Sequence, residues 1–105
     1  MDVSGKVALV TGAVSGIGRT TAKMLADAGL RGLMILDMDL EGLAETADLV
    51  SGVEVLAIQC DVTNHTSLED AYQQITSHFS ALDIVFNNAG IVSGPPRFLI
   101  PTSPA

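Results

Sequence analysis

Residues 6–18 have the sequence KVALVTGAVSGIG, which is the most informative segment of the chain. Its first six residues form a short apolar run, typical of a strand that is buried on both faces. Glycines follow with the spacing G-x-x-x-G-x-G, and a helical pattern comes next. Such a turn lets the backbone amides at a helix start face an anion. Glycines at a strand-to-helix turn can also serve backbone geometry alone, so both interpretations stay open for this segment by itself.

A second apolar run ends in Asp37, roughly 20 residues further on, where a dinucleotide site needs an acid. A carboxylate there accepts hydrogen bonds from the two ribose hydroxyls and repels a 2′-phosphate. Neither Ser15 nor Met38 supplies a positive charge, and we expect Arg19, inside the helix, to point elsewhere. The pattern therefore favours NAD(H) over NADP(H). The alternative is that Asp37 is a solvated helix cap, but Asp39 fits that role better.

Four apolar runs alternate with three helical patterns in the order β-α-β-α-β-α-β. The predicted strands are 6–11, 33–37, 53–58 and 82–86, and the predicted helices are about 16–28, from the N-cap Asp39 to near Gly52, and about 66–79. This order indicates an α/β fold, a Rossmann-like doubly wound parallel sheet with strand order 3-2-1-4, truncated after about four strands. We predict a partial NAD(P)-binding domain over residues 1–92 and a Pro-rich irregular tail over 93–105.

Apolar residues recur at helical spacing in each predicted helix, and these faces are expected to pack on the sheet. They are Ile17, Thr21, Met24, Leu25 and Ala28 in the first helix, Leu43, Ala44, Ala47 and Val50 in the second, and Leu68, Ala71, Tyr72, Ile75 and Phe79 in the third. Gly29 is expected as a left-handed residue after the first helix. Thr66 and Glu69 fit a capping box, which predicts an N-cap at Thr66.

The composition excludes several classes of protein. A formal net charge of −7, with five basic residues in no cluster, argues against binding to nucleic acid or to an anionic membrane. The 48% apolar content is too high for a disordered chain. Cys60 is the single cysteine, so no intramolecular disulfide forms, which suits the reducing cytoplasm, and we expect it to be buried. We expect no signal peptide and no membrane-spanning segment.

Two more segments follow predicted strands, CDVT at residues 60–63 and NNAG at residues 87–90. Together with residues 11–18, they resemble the motifs of the short-chain dehydrogenase/reductase family, in the same order and at the same strand ends. The resemblance covers about residues 3–92. A Gly-ended Asn pair is also a common turn signal, so a purely structural strand end is the alternative for residues 87 and 88.

The resemblance implies an NAD site at the carboxyl ends of the strands. The implied roles are contact with the pyrophosphate for Gly12, Ser15, Gly16, Ile17 and Gly18, with the adenosine ribose for Asp37, with the adenine for Asp61 and Val62, and with the ribose region for the backbone of Asn88, Ala89 and Gly90. Asn87 would tie the fourth strand to its neighbours. No metal site is expected, since His65 and His78 lie at helix ends with no partner pattern.

Members of this family carry a catalytic Ser and a Tyr-x-x-x-Lys pair well after the NNAG segment. The single tyrosine, Tyr72, precedes that segment, and Thr76 stands four residues after it. Both lysines lie in the first strand and helix, and Ser93 comes too early for the catalytic serine. We therefore expect this chain to be the NAD(H)-binding fragment of an oxidoreductase that interconverts alcohols and carbonyls, inactive by itself. A non-catalytic nucleotide-binding module and a non-functional truncated product are the alternatives.

The resemblance also bears on stability and assembly. The family's sheet continues beyond the fourth strand, so we expect the run Ile84-Val85-Phe86 to form an exposed edge. The helices that usually make the family's dimer interface are not encoded in these residues, which leaves the oligomeric state open. Marginal stability or aggregation is the expected consequence.

Overall fold

The structure is a computed structural model that describes residues 2–50 and 52–88. Its elements are β1 (Val7–Thr11), α1 (Gly16–Asp27), β2 (Gly32–Asp37), α2 (Leu40–Leu49), β3 (Glu54–Gln59), α3 (His65–His78) and β4 (Ile84–Asn87). The four strands are parallel and lie in the order β3-β2-β1-β4, which confirms the predicted fold class and strand order. The predicted tail, residues 93–105, lies outside the described residues.

The two faces of the sheet carry separate apolar clusters, because side chains alternate along each strand. Ala8 and Val10 of β1 point to the face covered by α1 and α2, and Val7 and Leu9 point to the face covered by α3. Both β1 and β2 are therefore buried on both sides, as the continuous apolar runs predicted. Because β1 and β2 are packed on both faces, the loops that follow their carboxyl ends start from firmly held positions.

The predicted packing face of α1 is wrong in part. Ile17 and Met24 are each 66% exposed, whereas the buried residues of the helix are Gly18, Ala22 and Ala26. Small residues on this face let the helix axis come close to β1, and the larger apolar side chains do not fit in the remaining space. Gly29 has a φ of 97°, which confirms the left-handed residue expected after the helix.

Helix α2 begins as predicted and ends earlier. The Asp39 carboxylate caps it by accepting a hydrogen bond from the Gly42 amide at 3.0 Å. The helix ends at Leu49, because Val50 already has extended backbone angles, φ −106° and ψ 140°. Ala44 is exposed, contrary to its place in the predicted stripe, and the buried position of that turn is Thr46.

Helix α3 begins at His65, and its N-cap is Asn64, so the predicted cap at Thr66 is wrong. The Asn64 side chain accepts a hydrogen bond from the Ser67 amide at 3.0 Å, and Asn is as good a cap as Thr. The predicted packing face is correct: Ala71, Ile75 and Phe79 are buried, and Leu68 and Tyr72 are half-buried. Across residues 2–50 and 52–88, no helix has the length and apolarity to cross a membrane.

Candidate functional site

Most of the predicted site residues follow the carboxyl ends of the four parallel strands, which share one edge of the sheet. The glycine loop follows β1, Asp37 ends β2, Asp61 follows β3, and Asn88 follows β4. The chain leaves β1 towards β2 on one side, and β4 lies on the other, so the strand order reverses between β1 and β4. Open α/β sheets bind ligands in the crevice at such a reversal.

The three glycines of the loop differ in what the fold requires of them. Gly12 has a φ of 63°, a conformation that side chains rarely adopt. A Cβ on Gly18 would lie 2.0 Å from the Gly12 carbonyl oxygen, so only glycine lets α1 approach β1 this closely. A Cβ on Gly16 would meet nothing within 4 Å. Chain geometry therefore accounts for Gly12 and Gly18, and it leaves Gly16 with open space above its backbone.

Helix α1 begins beside that space and is capped by Ser15. The Ser15 hydroxyl accepts hydrogen bonds from the Gly18 amide at 3.2 Å and the Asn88 side-chain amide at 2.7 Å, and it donates to the Gly12 carbonyl at 2.9 Å. The amides of Gly16 and Ile17 have no hydrogen-bond partner among the residues that the structure describes. Two free N–H groups at a helix start form a site for an anion.

The Asp37 carboxylate lies beside the glycine loop and is held at both oxygens. One oxygen accepts a hydrogen bond from the Val14 amide at 3.1 Å, and the other accepts one from the Asp39 amide at 3.1 Å. A carboxylate oxygen has two lone-pair directions, so each can accept a further hydrogen bond. The position of the Asp37 carboxylate is therefore fixed, in part by the Val14 amide of the loop after β1.

Arg19 binds residues of α2, and among the described residues it forms no ion pair with this carboxylate. Its guanidinium donates to the Thr46 hydroxyl at 2.8 Å and to the Gly42 carbonyl at 3.0 Å, and it pairs with Glu45 at 3.3 Å. The Thr46 hydroxyl in turn donates to the Ala13 carbonyl at 3.0 Å. This network was not predicted, although Thr46 lies three residues after Leu43 on the buried face of α2, where a polar residue needs a partner.

The loop after β3 is folded on itself. Hydrogen bonds from the Thr63 hydroxyl at 2.6 Å and the Thr63 amide at 2.9 Å hold the pKa of the Asp61 carboxyl below its usual range. The Asp61 amide donates to the Ser67 hydroxyl at 3.0 Å, and Val62 is half-buried against the α3 face of the sheet. Cys60 is buried, as expected, and this burial raises the pKa of its thiol.

The residues after β4 connect this strand to the glycine loop. The Asn87 side-chain oxygen accepts a hydrogen bond from the buried Thr11 hydroxyl at 2.8 Å, and the Asn88 amide donates to the same hydroxyl at 2.9 Å. Asn87 therefore ties β4 to β1, as predicted. Thr11, for which no role was predicted, connects the two strand ends through its hydroxyl. Ala89 and Gly90 lie outside the described residues.

Comparison with known proteins agrees with this arrangement. A family model described as short chain dehydrogenase matches residues 6–101. The chain belongs to this family. It is 44% identical over 95 residues to the 15-hydroxyprostaglandin dehydrogenase (NAD+) of Homo sapiens, covering 87% of this chain and 35% of the human protein.

Among solved structures, it is similar to an NAD+-bound xylitol dehydrogenase, with a TM-score of 0.82 at 38% identity, covering 87% of this chain and 35% of that one. It is also similar to the L-sorbose reductase of Gluconobacter frateurii in complex with NADPH and L-sorbose. Here the TM-score is 0.80 at 35% identity, covering 89% of this chain and 37% of the reductase. The chain thus spans about a third of the length of these short-chain dehydrogenase relatives, and both cofactors, NAD+ and NADPH, occur among them.

Away from the glycine loop, Asp37 and Asp61, the titratable side chains form no second candidate site among the residues that the structure describes. In the described part of the chain, no three His, Cys, Asp or Glu side chains come together as a metal site would require. His65 pairs with Glu69 and His78 pairs with Glu54, all four on the surface. Tyr72 is half-buried on α3.

Proposed function

We propose that residues 12–18, Asp37 and the residues after β3 and β4 bind NAD(H). The observation that carries the proposal is the space above Gly16, together with the free amides of Gly16 and Ile17. A glycine in a helical turn lowers stability relative to alanine, so its presence at an unobstructed position calls for another reason. Close approach of a diphosphate to the backbone is such a reason.

In this proposal the pyrophosphate lies at the start of α1, where N–H groups and the helix dipole favour negative charge. The predicted contacts are with the loop residues Gly12, Ser15, Gly16, Ile17 and Gly18. The Ser15 hydroxyl already has three hydrogen-bond partners within the chain. Its role is therefore to hold the loop, while the backbone amides meet the phosphate.

The Asp37 carboxylate would accept hydrogen bonds from the ribose hydroxyls of the adenosine. Asp61 and Val62 would flank the adenine, and the backbone of Asn88, Ala89 and Gly90 would meet the second ribose. We propose NAD(H) over NADP(H), because the fixed charge of Asp37 repels a 2′-phosphate and Arg19 is engaged by α2. Wild-type chain should bind NADH more tightly than NADPH, and Asp37→Ala should lower that preference.

The reaction that this site would serve is hydride transfer between an alcohol and a carbonyl, with the nicotinamide of the bound cofactor supplying or accepting the hydride. We propose that residues 1–105 hold the cofactor without completing that reaction. Tyr72 precedes β4 and is followed four residues later by Thr76, which supports this view. Formation of NADH from NAD+ and xylitol by the purified 105-residue chain would contradict it.

The decisive experiment is a fluorescence titration of the chain with NADH. Wild-type chain should bind saturably, and Gly16→Ala should weaken binding by about tenfold, because a methyl group enters the space meant for phosphate. The matched control is Thr20→Ala, an exposed position one turn later on α1.

Stability provides an independent measurement on the same variant. Gly16→Ala should leave the free energy of unfolding unchanged or raise it by about 0.4–1 kcal/mol, since it restricts the unfolded chain. Wild-type chain that does not bind NADH would support the alternative of a non-functional product. Binding that Gly16→Ala leaves unchanged would place the cofactor elsewhere.

A further inference from the structure

The turn that carries Asp37 is held from the neighbouring strand. Gln59, the last residue of β3, lies directly opposite Asp37 in the parallel register. Its side-chain amide donates a hydrogen bond to the Met38 carbonyl at 3.0 Å, and the Cys60 amide donates to the Asp37 carbonyl at 2.9 Å. Two consecutive carbonyls of the turn are therefore tied to the end of β3.

The Met38 bond matters because packing does little to hold this turn. The Met38 side chain is 61% exposed, and Leu40 is 57% exposed. The peptide plane that joins Met38 to Asp39 contains both the carbonyl that Gln59 binds and the amide that donates to the Asp37 carboxylate. Fixing one side of a rigid peptide plane fixes the direction of the other. Gln59 thus controls the direction of an N–H group that orients the carboxylate.

We propose that Gln59 is a positioning residue for the adenosine ribose of the cofactor, acting through the Met38–Asp39 peptide on Asp37. The inference rests on the proposed function. The chemical group that Gln59 serves is the pair of ribose hydroxyls, so its influence depends on their presence.

The test compares two ligands that differ only at those hydroxyls, ADP and 2′,3′-dideoxy-ADP. Gln59→Leu, which removes the donor at nearly constant shape, should weaken ADP binding roughly fivefold, the size expected for one lost hydrogen bond. The same variant should leave 2′,3′-dideoxy-ADP within about twofold of wild type. Calorimetric titration measures both, and Gln74→Leu, at an exposed position on α3, is the control.

A double-mutant cycle checks the route of the effect. If Gln59 acts through Asp37, Gln59→Leu should weaken ADP binding no further once Asp37→Ala is present. Equal weakening of both ligands would reduce Gln59 to a general structural role and overturn the inference. So would an ADP affinity that Gln59→Leu leaves unchanged.

The same data separate this inference from the proposed function. If wild-type chain binds ADP and Asp37→Ala weakens it, the proposed site stands whatever Gln59→Leu does. If wild-type chain binds neither ADP nor NADH, the proposed function fails, and the role of Gln59 fails with it. Thermal unfolding of each variant identifies any loss of fold, which is not expected at so exposed a side chain.

Discussion

The two central strands and the two flanking strands of this sheet have different surroundings. Every residue of β1 is buried, as is every residue of β2 except the half-buried Asp37, whereas β3 has one buried residue and β4 has none among those described. The central strands have a sheet neighbour on each side and helices on both faces. The glycine loop and the Asp37 turn are mounted on these central strands, so the proposed site depends chiefly on the best-packed part of the molecule.

The largest effect is expected from Gly18→Ala, which tests the packing of α1 on the central strand β1. The added Cβ would lie 2.0 Å from the Gly12 carbonyl oxygen, which belongs to the backbone and cannot rotate away. We expect a loss of more than about 4 kcal/mol of unfolding free energy, at the upper end of single-residue effects. Urea unfolding measures it. Gly16→Ala, in the same helix turn but facing open space, is the control, and equal midpoints for the two variants would refute the close approach of α1 to β1.

The centre and flank can be compared directly with one chemical change, isoleucine to alanine. Ile35 in β2 is fully buried, and Ile84 in β4 is half-buried. Truncating a buried isoleucine costs about 2–5 kcal/mol, and we expect Ile35→Ala near the upper end of that range. Ile84→Ala should cost about 1–2 kcal/mol, because less apolar surface returns to water. Equal losses in urea unfolding would mean that β4 is as well covered as β2.

A smaller effect is expected at the link between α2 and the glycine loop. Thr46→Val removes the hydroxyl that donates to the Ala13 carbonyl and accepts from Arg19, and both groups lose a buried partner. The expected loss is about 1–3 kcal/mol of unfolding free energy. NADH affinity should also fall, because Ala13 precedes the Val14 amide that orients Asp37. The control is Thr66→Val, at an exposed position of α3, which should change neither quantity.

The sequence predicted the fold well because each strand carries its own local signal. Apolar runs closed by glycine or a polar residue identified β1 and β2, and the alternation of runs and helical patterns predicted the parallel order. Side-chain placement was less accessible. The packing face of α1 was misassigned because large apolar residues at helical spacing, such as Ile17 and Met24, were taken as the buried ones. The helix instead packs through Gly18, Ala22 and Ala26, at a distance that only the assembled structure sets.

In the candidate site, too, the backbone elements were predicted and most side-chain contacts were not. Its backbone elements follow from motif spacing, since glycines and strand ends are local features. The side-chain links among Thr11, Ser15 and Asn88 connect residues more than 70 positions apart, and no local pattern encodes them. Gln59 was missed for the same reason, because its partner is a backbone carbonyl that only tertiary folding brings within reach. Thr46 carries a local signal, since it lies on the buried face of α2, but only tertiary folding decides that its partner is the Ala13 carbonyl.

The smallest effect is predicted after the flanking strand β3, on the pKa of Asp61. The Thr63 hydroxyl and amide both donate to this carboxylate, which lowers the pKa of Asp61. Ionised Asp61 therefore stabilises the folded chain fully at pH values above the ordinary pKa of an aspartate, about 3.9. That contribution is lost as the pH falls through the lowered pKa.

Thr63→Val keeps the amide and removes the hydroxyl, so the pKa of Asp61 should rise part of the way to its ordinary value, as a carbon-13 NMR titration of the carboxyl group would measure. The difference in unfolding free energy between wild type and variant should be present at neutral pH and vanish at pH values below the lowered pKa of Asp61. Thr66→Val, outside this loop, should leave the pKa of Asp61 unchanged. An identical pKa in wild type and Thr63→Val would show that the loop after β3 is not held by this hydroxyl. The adenine side of the proposed site would then be less fixed than the ribose side.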